Sequence, residues 1–431
     1  MESPTFRKFA NKSMGIDVLF DECDKRPSCK HGPALLLSKK VGKDTKNFFA
    51  CSAFRDNKCP LLKNPLDTSK FVVQRKKIRK KLVKILQSRK EERAFCRRCE
   101  ELFLYRDYHK HQRHDVIDKV PLKLIRRPTL LLQATTKRKK EAQYFFDNVT
   151  VAFIVQTFQK LEFDRIICIG CPSIHEQVQS NKRSWNMESV LLDIDPRYCQ
   201  FYLRKHFIMF NMFNGFFFEG REGESKLDRF LRECKPGKAC IVIDPPFGGL
   251  IKALSLTLDK IHDRYLEVHG HPGTTGSTSV KLHRDSYQMA VMLFLPYFNE
   301  PKVTQYMKNL KLTDYKVHYT NHRALKDCRC RSSLGSIVRI FTNIQGYIFT
   351  LPTEEGYKYC EICKRYVSEN NRHCDDCNAC TSKDGRSPKH CNICEKCVKD
   401  TWTHCPACKI CRLPGTCKHP QKKMSNKKSS L

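Results

Sequence analysis

Twelve cysteines and four histidines fall between Tyr359 and His419, and that density dictates how the segment folds. A stretch of roughly sixty mostly polar residues cannot bury enough apolar surface to stand as a domain, so metal ions must replace a core. Contiguous quartets would force neighbouring His and Cys onto one metal, whereas an interleaved register closes. Cys360, Cys363, His373 and Cys380 are spaced C-x2-C-x9-H-x6-C, and Cys391, Cys394, His404 and Cys411 repeat that spacing. Cys374, Cys377, His390 and Cys397 match it with three extra residues in the middle, leaving Cys405, Cys408, Cys417 and His419 for a fourth site. Each site has four protein ligands and no open position, so these zincs are expected to be structural.

Two further groups lie upstream. Cys29, His31, Cys51 and Cys59 form two pairs around a hairpin-like stretch with a Gly-Lys-Asp turn, with Cys23 left over. Cys96, Cys99, His109 and His114 are spaced C-x2-C-x9-H-x4-H, a short version of a two-Cys, two-His finger in which His111 competes with His109. Between the groups, Ile78, Leu82, Ile85 and Leu86 recur at helical spacing amid Lys and Arg, which predicts a basic amphipathic helix over 71–92. The chain carries 80 Lys and Arg against 45 Asp and Glu, a formal charge of +35. That excess favours a polyanionic partner, nucleic acid first and an acidic membrane second. The longest apolar runs fall far short of the ~20 residues of a bilayer span, and the first residues show no signal-peptide pattern. A soluble intracellular protein in a reducing compartment, with no membrane partner, is expected.

From about Leu130 to Leu351 the pattern changes to short apolar strands alternating with helical stretches: RIICIG, SVLLDID, HFIMF, ACIVIDPPF, VMLFLPYF, KVHYT and SIVRIFT. Such alternation predicts an α/β domain with a mostly parallel sheet covered on both faces. Ligands bind such sheets beyond the strand carboxyl ends. Those ends carry Gly170 before Cys171-Pro172-Ser173, then Asp193, then Asn211 and Met212, and last Asp244-Pro245-Pro246-Phe247. An acid closing the second strand suits ribose hydroxyls; Asp193 directly ends the apolar run, while Asp195 before Pro196 reads as a helix cap. Asn211 and Met212 suit an adenine edge and face.

This order of elements resembles the class I S-adenosylmethionine-dependent methyltransferases, a Rossmann-like fold, and Asp-Pro-Pro-Phe resembles the catalytic motif of the enzymes that methylate adenine N6. The resemblance implies that the Asp244 side chain and the Pro245 carbonyl accept the two N–H bonds of the amine, that Pro245 and Pro246 fix the backbone, and that Phe247 stacks on a flipped base. The first strand carries one glycine where the family has a G-x-G loop, so Ser173 stands in that role. Gln143, Tyr144, Phe145 and Phe146 lie where related enzymes close over the cofactor.

The zinc modules extend the likeness. Residues 20–65 resemble a GRF-type zinc finger, 93–116 a two-Cys two-His finger, and 358–420 the cysteine-rich domain of DHHC-type palmitoyltransferases, without the acyl-accepting motif. Around a methyltransferase domain at 130–352, and followed by a basic tail at 421–431, this arrangement resembles the zinc-finger CCHC-domain rRNA adenosine-N6 methyltransferases. The resemblance implies small zinc-binding modules at both ends of a class I methyltransferase domain, S-adenosylmethionine and zinc as cofactors, ribosomal RNA as substrate, and ribosome-biogenesis or RNA-helicase proteins as partners. It also implies nuclear or nucleolar residence, with a cytoplasmic pool. The same cradle would serve a DNA-adenine or protein-glutamine methyltransferase, and a domain without its cofactor would leave a zinc-dependent RNA-binding adaptor.

Overall fold

The computed structural model describes residues 16–19, 26–41, 44–53, 59–62, 66–135, 143–270, 288–321 and 336–417. Cys23, His419 and the basic runs at 137–140 and 421–431 lie outside them.

An eight-stranded sheet organises the chain. Its strands are β1 (Arg165–Ile169), β2 (Glu188–Asp193), β3 (Phe207–Asn211), β4 (Phe216–Phe217), β5 (Ala239–Ile243), β6 (Ala290–Pro296), β7 (Lys311–Leu312) and β8 (Val338–Thr342), in the spatial order β4-β3-β2-β1-β5-β6-β8-β7. The five central strands run parallel, and β4, β7 and β8 pair antiparallel at the two sides. Successive side chains of one strand point to opposite faces, and both faces are apolar here. Ile166, Cys168, Leu191, Cys240 and Val242 join one core, while Ile167, Ile169, Leu192, Ile241 and Ile243 join the other.

Five of the six main helices flank the sheet. The first core takes Ile154 and Phe158 from α2 (Asn148–Lys160) and Ile174 and Val178 from α3 (Pro172–Trp185). The second takes Leu227 and Leu231 from α4 (Arg221–Arg232), Leu254, Leu258 and Ile261 from α5 (Ile251–Val268), and Val303 from α6 (Glu300–Tyr306). The strand order reverses between β1 and β5, whose carboxyl ends are Ile169 and Ile243. That reversal places Gly170 beside Asp244.

The predicted basic helix is α1 (Thr68–Gln87), capped by Asp67, which accepts from Ser69 N. Leu82 and Ile85 enter the first core, with Ile78 and Leu86 packed against it, so the apolar stripe is a docking face. Lys76, Lys77, Arg79, Lys80 and Lys84 stay exposed on the other side. Arg75 is 4% exposed; its guanidinium donates to the Cys199 and Tyr202 carbonyls (2.5 and 3.1 Å) and lies 5.2 Å from the Phe207 ring.

KVHYT departs from expectation: it forms no strand, only a single bridge from Tyr319 to Phe146 beside Val317 N donating to the Val338 carbonyl. Thr313–His318 has no regular structure, and Asp314 within it serves another purpose. Its carboxylate accepts from Arg365 Nη1 (2.8 Å), Ser368 N (2.9 Å) and Asn371 Nδ2 (2.8 Å), fastening the cysteine-rich tail to the sheet. The tail itself is four short hairpins, pairing Tyr357–Cys360 with Arg365–Ser368, His373–Cys374 with Ala379–Cys380, Pro388–Cys391 with Lys396–Lys399, and Thr403–Cys405 with Ile410–Arg412. In five Cys-x-x-Cys pairs, at 96/99, 360/363, 374/377, 391/394 and 405/408, the residue after the second cysteine is left-handed: Glu100, Lys364, Asn378, Glu395 and Lys409 have φ of 46–53°. That bend turns both thiols of the pair toward one point.

Candidate active site and metal centres

Asp244 follows the last residue of β5, and its N–H donates to the Ile169 carbonyl at 3.2 Å, tying the motif to the neighbouring strand. Gly170 has φ +67°, and a Cβ there would lie 3.2 Å from the Asp244 carbonyl oxygen and 3.0 Å from Met212. The single glycine retained at this turn is therefore required by close approach. The Asp244 carboxylate Oδ1 accepts from the Tyr319 hydroxyl at 3.0 Å. Burial pushes its pKa well above the usual carboxylate range, and the Tyr319 bond works in the opposite direction. The Pro246 carbonyl accepts from Gly249 N (2.7 Å) and closes the turn, while the Pro245 carbonyl has no hydrogen-bond donor among the described residues.

Three rings stand over the carboxylate. Tyr144 and Phe247 stack with centroids 5.8 Å apart at 28°, and Tyr319 meets them edge-on at 5.8 and 6.2 Å. A planar base between two rings needs about 7 Å, two van der Waals spacings, so admitting one parts Tyr144 and Phe247 by roughly 1 Å.

A cavity of about 290 Å³ opens beside the motif, lined by Gln143, Tyr144, Phe145, Gly170, Asp193, Asn211, Met212, Asp244, Pro245 and Pro246, among others. Eight of the expected cofactor residues thus converge at the switch point. Asp193 keeps one oxygen on Asp195 N (2.9 Å), and burial together with the Asp195 charge pushes its pKa up to about 7. Asp195 caps the turn at Arg197 N (3.0 Å) and is held by the Arg197 guanidinium and by Gln143 Nε2 (2.8 Å). Its oxygens are committed, which leaves Asp193 as the acid able to take hydroxyl donors. Gln143 is a strut: its Oε1 accepts from Thr135 N and Arg197 Nη2 at 3.1 and 2.9 Å.

Three expectations need correction. Phe146 is 4% exposed and stacks on Tyr319 at 5.0 Å, beneath the pocket rather than in it. Ser173 lies in the first turn of α3 and is absent from the lining, where Pro172 takes that place. Asn211 borders the cavity, but its amide spends both hydrogens on the His31 carbonyl and Ser52 hydroxyl (both 2.8 Å) and its oxygen already accepts from Phe213 N (3.0 Å), so it has no donor left for an adenine ring nitrogen.

Among the described residues, five donor quartets have their ligand atoms within 4.8 Å of one another: Cys29, His31, Cys51, Cys59; Cys96, Cys99, His111, His114; and the three interleaved tail sets as spaced in the sequence. Zn–S near 2.3 Å and Zn–N near 2.0–2.1 Å in a tetrahedron put donors about 3.5–3.8 Å apart. Cys29 to Cys51 is 3.6 Å, Cys59 to His31 Nδ1 is 3.4 Å, Cys374 to His390 Nδ1 is 3.6 Å and Cys394 to Cys411 is 3.7 Å, so the donors fit zinc. Cys405 interacts with Cys408 and Cys417 through their thiols, and their expected partner His419 is beyond the described residues. In the second finger His111 replaces His109. His114 N donates to the His111 carbonyl at 2.9 Å, and this tight turn after the 3-10 helix Tyr105–Lys110 brings the two rings to one donor group while His109 is exposed. His111 is 4% exposed and stacks on Phe103 at 4.2 Å.

Comparison with known proteins gives the family. Residues 137–328 match the family described as probable N6-adenine methyltransferase. The chain is 36% identical over 397 residues to the rRNA N(6)-adenosine-methyltransferase ZCCHC4 of Homo sapiens, covering 87% of this chain and 75% of the relative. The chain belongs to the rRNA N6-adenosine methyltransferase family. The Mus musculus member is 37% identical over 84% of this chain and 73% of its own, and the Xenopus tropicalis member 35% identical over 84% and 76%.

The family match at 137–328 includes Gln143, Asp193, Asp244 and Tyr319. Tyr319 escaped sequence reasoning because 75 residues separate it from Asp244 and nothing in its neighbourhood marks a polar role. The roles of Asn211 and His31 at one interface were equally hidden, since the two positions are 180 apart in the chain.

Proposed function

We propose that this protein is an S-adenosylmethionine-dependent methyltransferase that forms N6-methyladenosine in large-subunit ribosomal RNA. The observation that carries the reading is Asp244-Pro245-Pro246-Phe247 at the switch point of a parallel sheet, with the Asp244 carboxylate oriented by Tyr319 beside a pocket ending in Asp193. Bound S-adenosylmethionine supplies an activated methyl group, so no strong general base is needed.

The chain's own residues then have distinct tasks. Tyr319 occupies Oδ1 of Asp244, which directs the other carboxylate oxygen to the target amine. The Pro245 carbonyl takes the second N–H, and holding both redirects a nitrogen lone pair otherwise delocalised into the ring. Tyr144 and Phe247 part to take the flipped adenine between them. Asp193 receives ribose hydroxyls, and Met212 and Phe213 border the far end of the pocket.

Five fitted zinc sites and the fourth tail group hold the modules in shape. The exposed Lys and Arg of α1 supply phosphate contacts, which position RNA without reading its sequence. Among the described residues no helix is long and apolar enough to cross a membrane. The basic runs RKKIRKK, KRKK and KKMSNKK fit nuclear and nucleolar residence, which imaging of the tagged chain tests; a cytoplasmic pool, and ribosome-biogenesis or RNA-helicase proteins as companions, rest on the family resemblance alone. Competition between unmethylated rRNA, duplex DNA and glutamine peptides for labelled methyl transfer tests the substrate: DNA or peptide outcompeting rRNA defeats the proposal.

A further inference from the structure

The amino-terminal finger sits against the end of β3. Asn211, 1% exposed, donates its amide to the His31 carbonyl and the Ser52 hydroxyl, both at 2.8 Å. Asn214 reaches the same segment, donating to the Pro33 carbonyl (2.9 Å), Ser52 Oγ (3.1 Å) and the His31 carbonyl (3.3 Å). Phe216 covers Gly32, where φ is +97° and a Cβ would stand 2.6 Å from the ring. His31 is at once a metal donor and, with Ala53, part of the cavity wall that Asn211, Met212 and Phe213 complete.

We propose that this finger is a structural wall of the cofactor pocket, so that zinc held by Cys29, His31, Cys51 and Cys59 sets affinity for S-adenosylmethionine, separately from any contact with RNA. Among the described residues the finger's own buried apolar cluster is small, Val18, Leu35 and Leu37 against Ala253, with Ile16, Phe48, Ala50 and Leu250 packed on it and Lys252 paired with Asp17. The metal therefore fixes the segments around residues 29–33 and 51–53, and those segments fix the carbonyl and hydroxyl that satisfy Asn211. Without them the buried Asn211 amide loses both acceptors, and the far end of the pocket opens to water. Because finger order and cofactor binding share one surface, the coupling is reciprocal: cofactor orders the finger as the finger holds the cofactor.

The inference rests on the cofactor reading above, and one experiment separates the two. Calorimetric titration of the full zinc-loaded chain with S-adenosylhomocysteine, without RNA, is made for wild type, for Ser52→Ala/Asn214→Ala, and for Ala53→Glu. The two variants leave every metal donor in place. Removing the interface hydrogen bonds weakens binding about tenfold or more, and the carboxylate at position 53 does so by filling the wall. In wild type, hydrogen exchange of residues 28–37 slows when S-adenosylhomocysteine is added. Affinity within twofold of wild type for Ala53→Glu, with finger exchange unchanged by the ligand, overturns the inference even if the double variant misfolds. Absence of binding by wild type sinks the cofactor reading, and the inference with it.

Discussion

Replacing Tyr319 by Phe removes one oxygen, and the expected loss can be worked from the structure. The Tyr319 hydroxyl donates to Asp244 Oδ1 at 3.0 Å, and Tyr319 is fully buried with its ring packed on Phe146 and Tyr144. Phenylalanine keeps the ring contacts. A hydrogen bond to a charged acceptor contributes about 1.5–3 kcal/mol, and 1.36 kcal/mol is a factor of ten, so kcat/KM falls roughly 10- to 150-fold. The pH profile separates this effect from a packing defect. Burial already holds Asp244 above the usual range and Tyr319 pulls it down, so loss of the hydroxyl raises it further. The amine needs the ionised acceptor, hence the defect is deepest at low pH and narrows as pH rises. Single-turnover methyl transfer from about pH 6 to about pH 9 reads both quantities. A ratio of variant to wild type within twofold and flat with pH refutes the reasoning.

Asp193, raised to about 7 by burial and Asp195, is expected to make S-adenosylhomocysteine affinity climb as pH rises through that value, because ribose hydroxyls donate to the ionised acid. The cofactor-free chain shows the opposite trend in stability: a carboxyl whose folded pKa is raised loses its contribution between the ordinary aspartate range and about pH 7, and Asp193→Asn flattens both curves in calorimetry and thermal melts. Phe247→Ala removes a stacking face worth about 1–3 kcal/mol, so KM for RNA rises roughly 5- to 150-fold while S-adenosylhomocysteine affinity stays unchanged; equal losses in both contradict the assignment. His111→Ala releases one zinc equivalent, measured by elemental analysis, and His109→Ala retains it; the reverse pattern refutes the second finger's ligand set.

The sequence made the sheet legible because strands buried on both faces leave unbroken apolar runs, and each ends at a residue, Gly170, Asp193, Asn211 or Asp244, that the topology gathers at one switch point. The tail was legible because ligand spacing is itself a geometric statement, and three interleaved quartets fold as spaced. His109 and His111 could not be separated by counting, since the choice depends on the tight turn from His111 to His114, which propensity does not reveal. Side chains recruited across long separations were invisible for a different reason. Tyr319 reads as one more strand residue until the chain bridges to Phe146, and Asn211 reads as a ligand contact until the finger docks on it. Ser173 was placed by analogy with a glycine loop that this chain lacks, and Pro172 instead starts α3 at the pocket.

The central claim is a reaction at an amine held by Asp244. Its most direct test is methyl transfer from labelled S-adenosylmethionine to ribosomal RNA lacking the modification, with wild type and Asp244→Ala side by side and the product nucleoside identified by mass spectrometry. The account predicts N6-methyladenosine from wild type and none from the variant, with both proteins retaining zinc and RNA binding. Methyl transfer that survives in the variant, or a product methylated elsewhere than adenine N6, contradicts it.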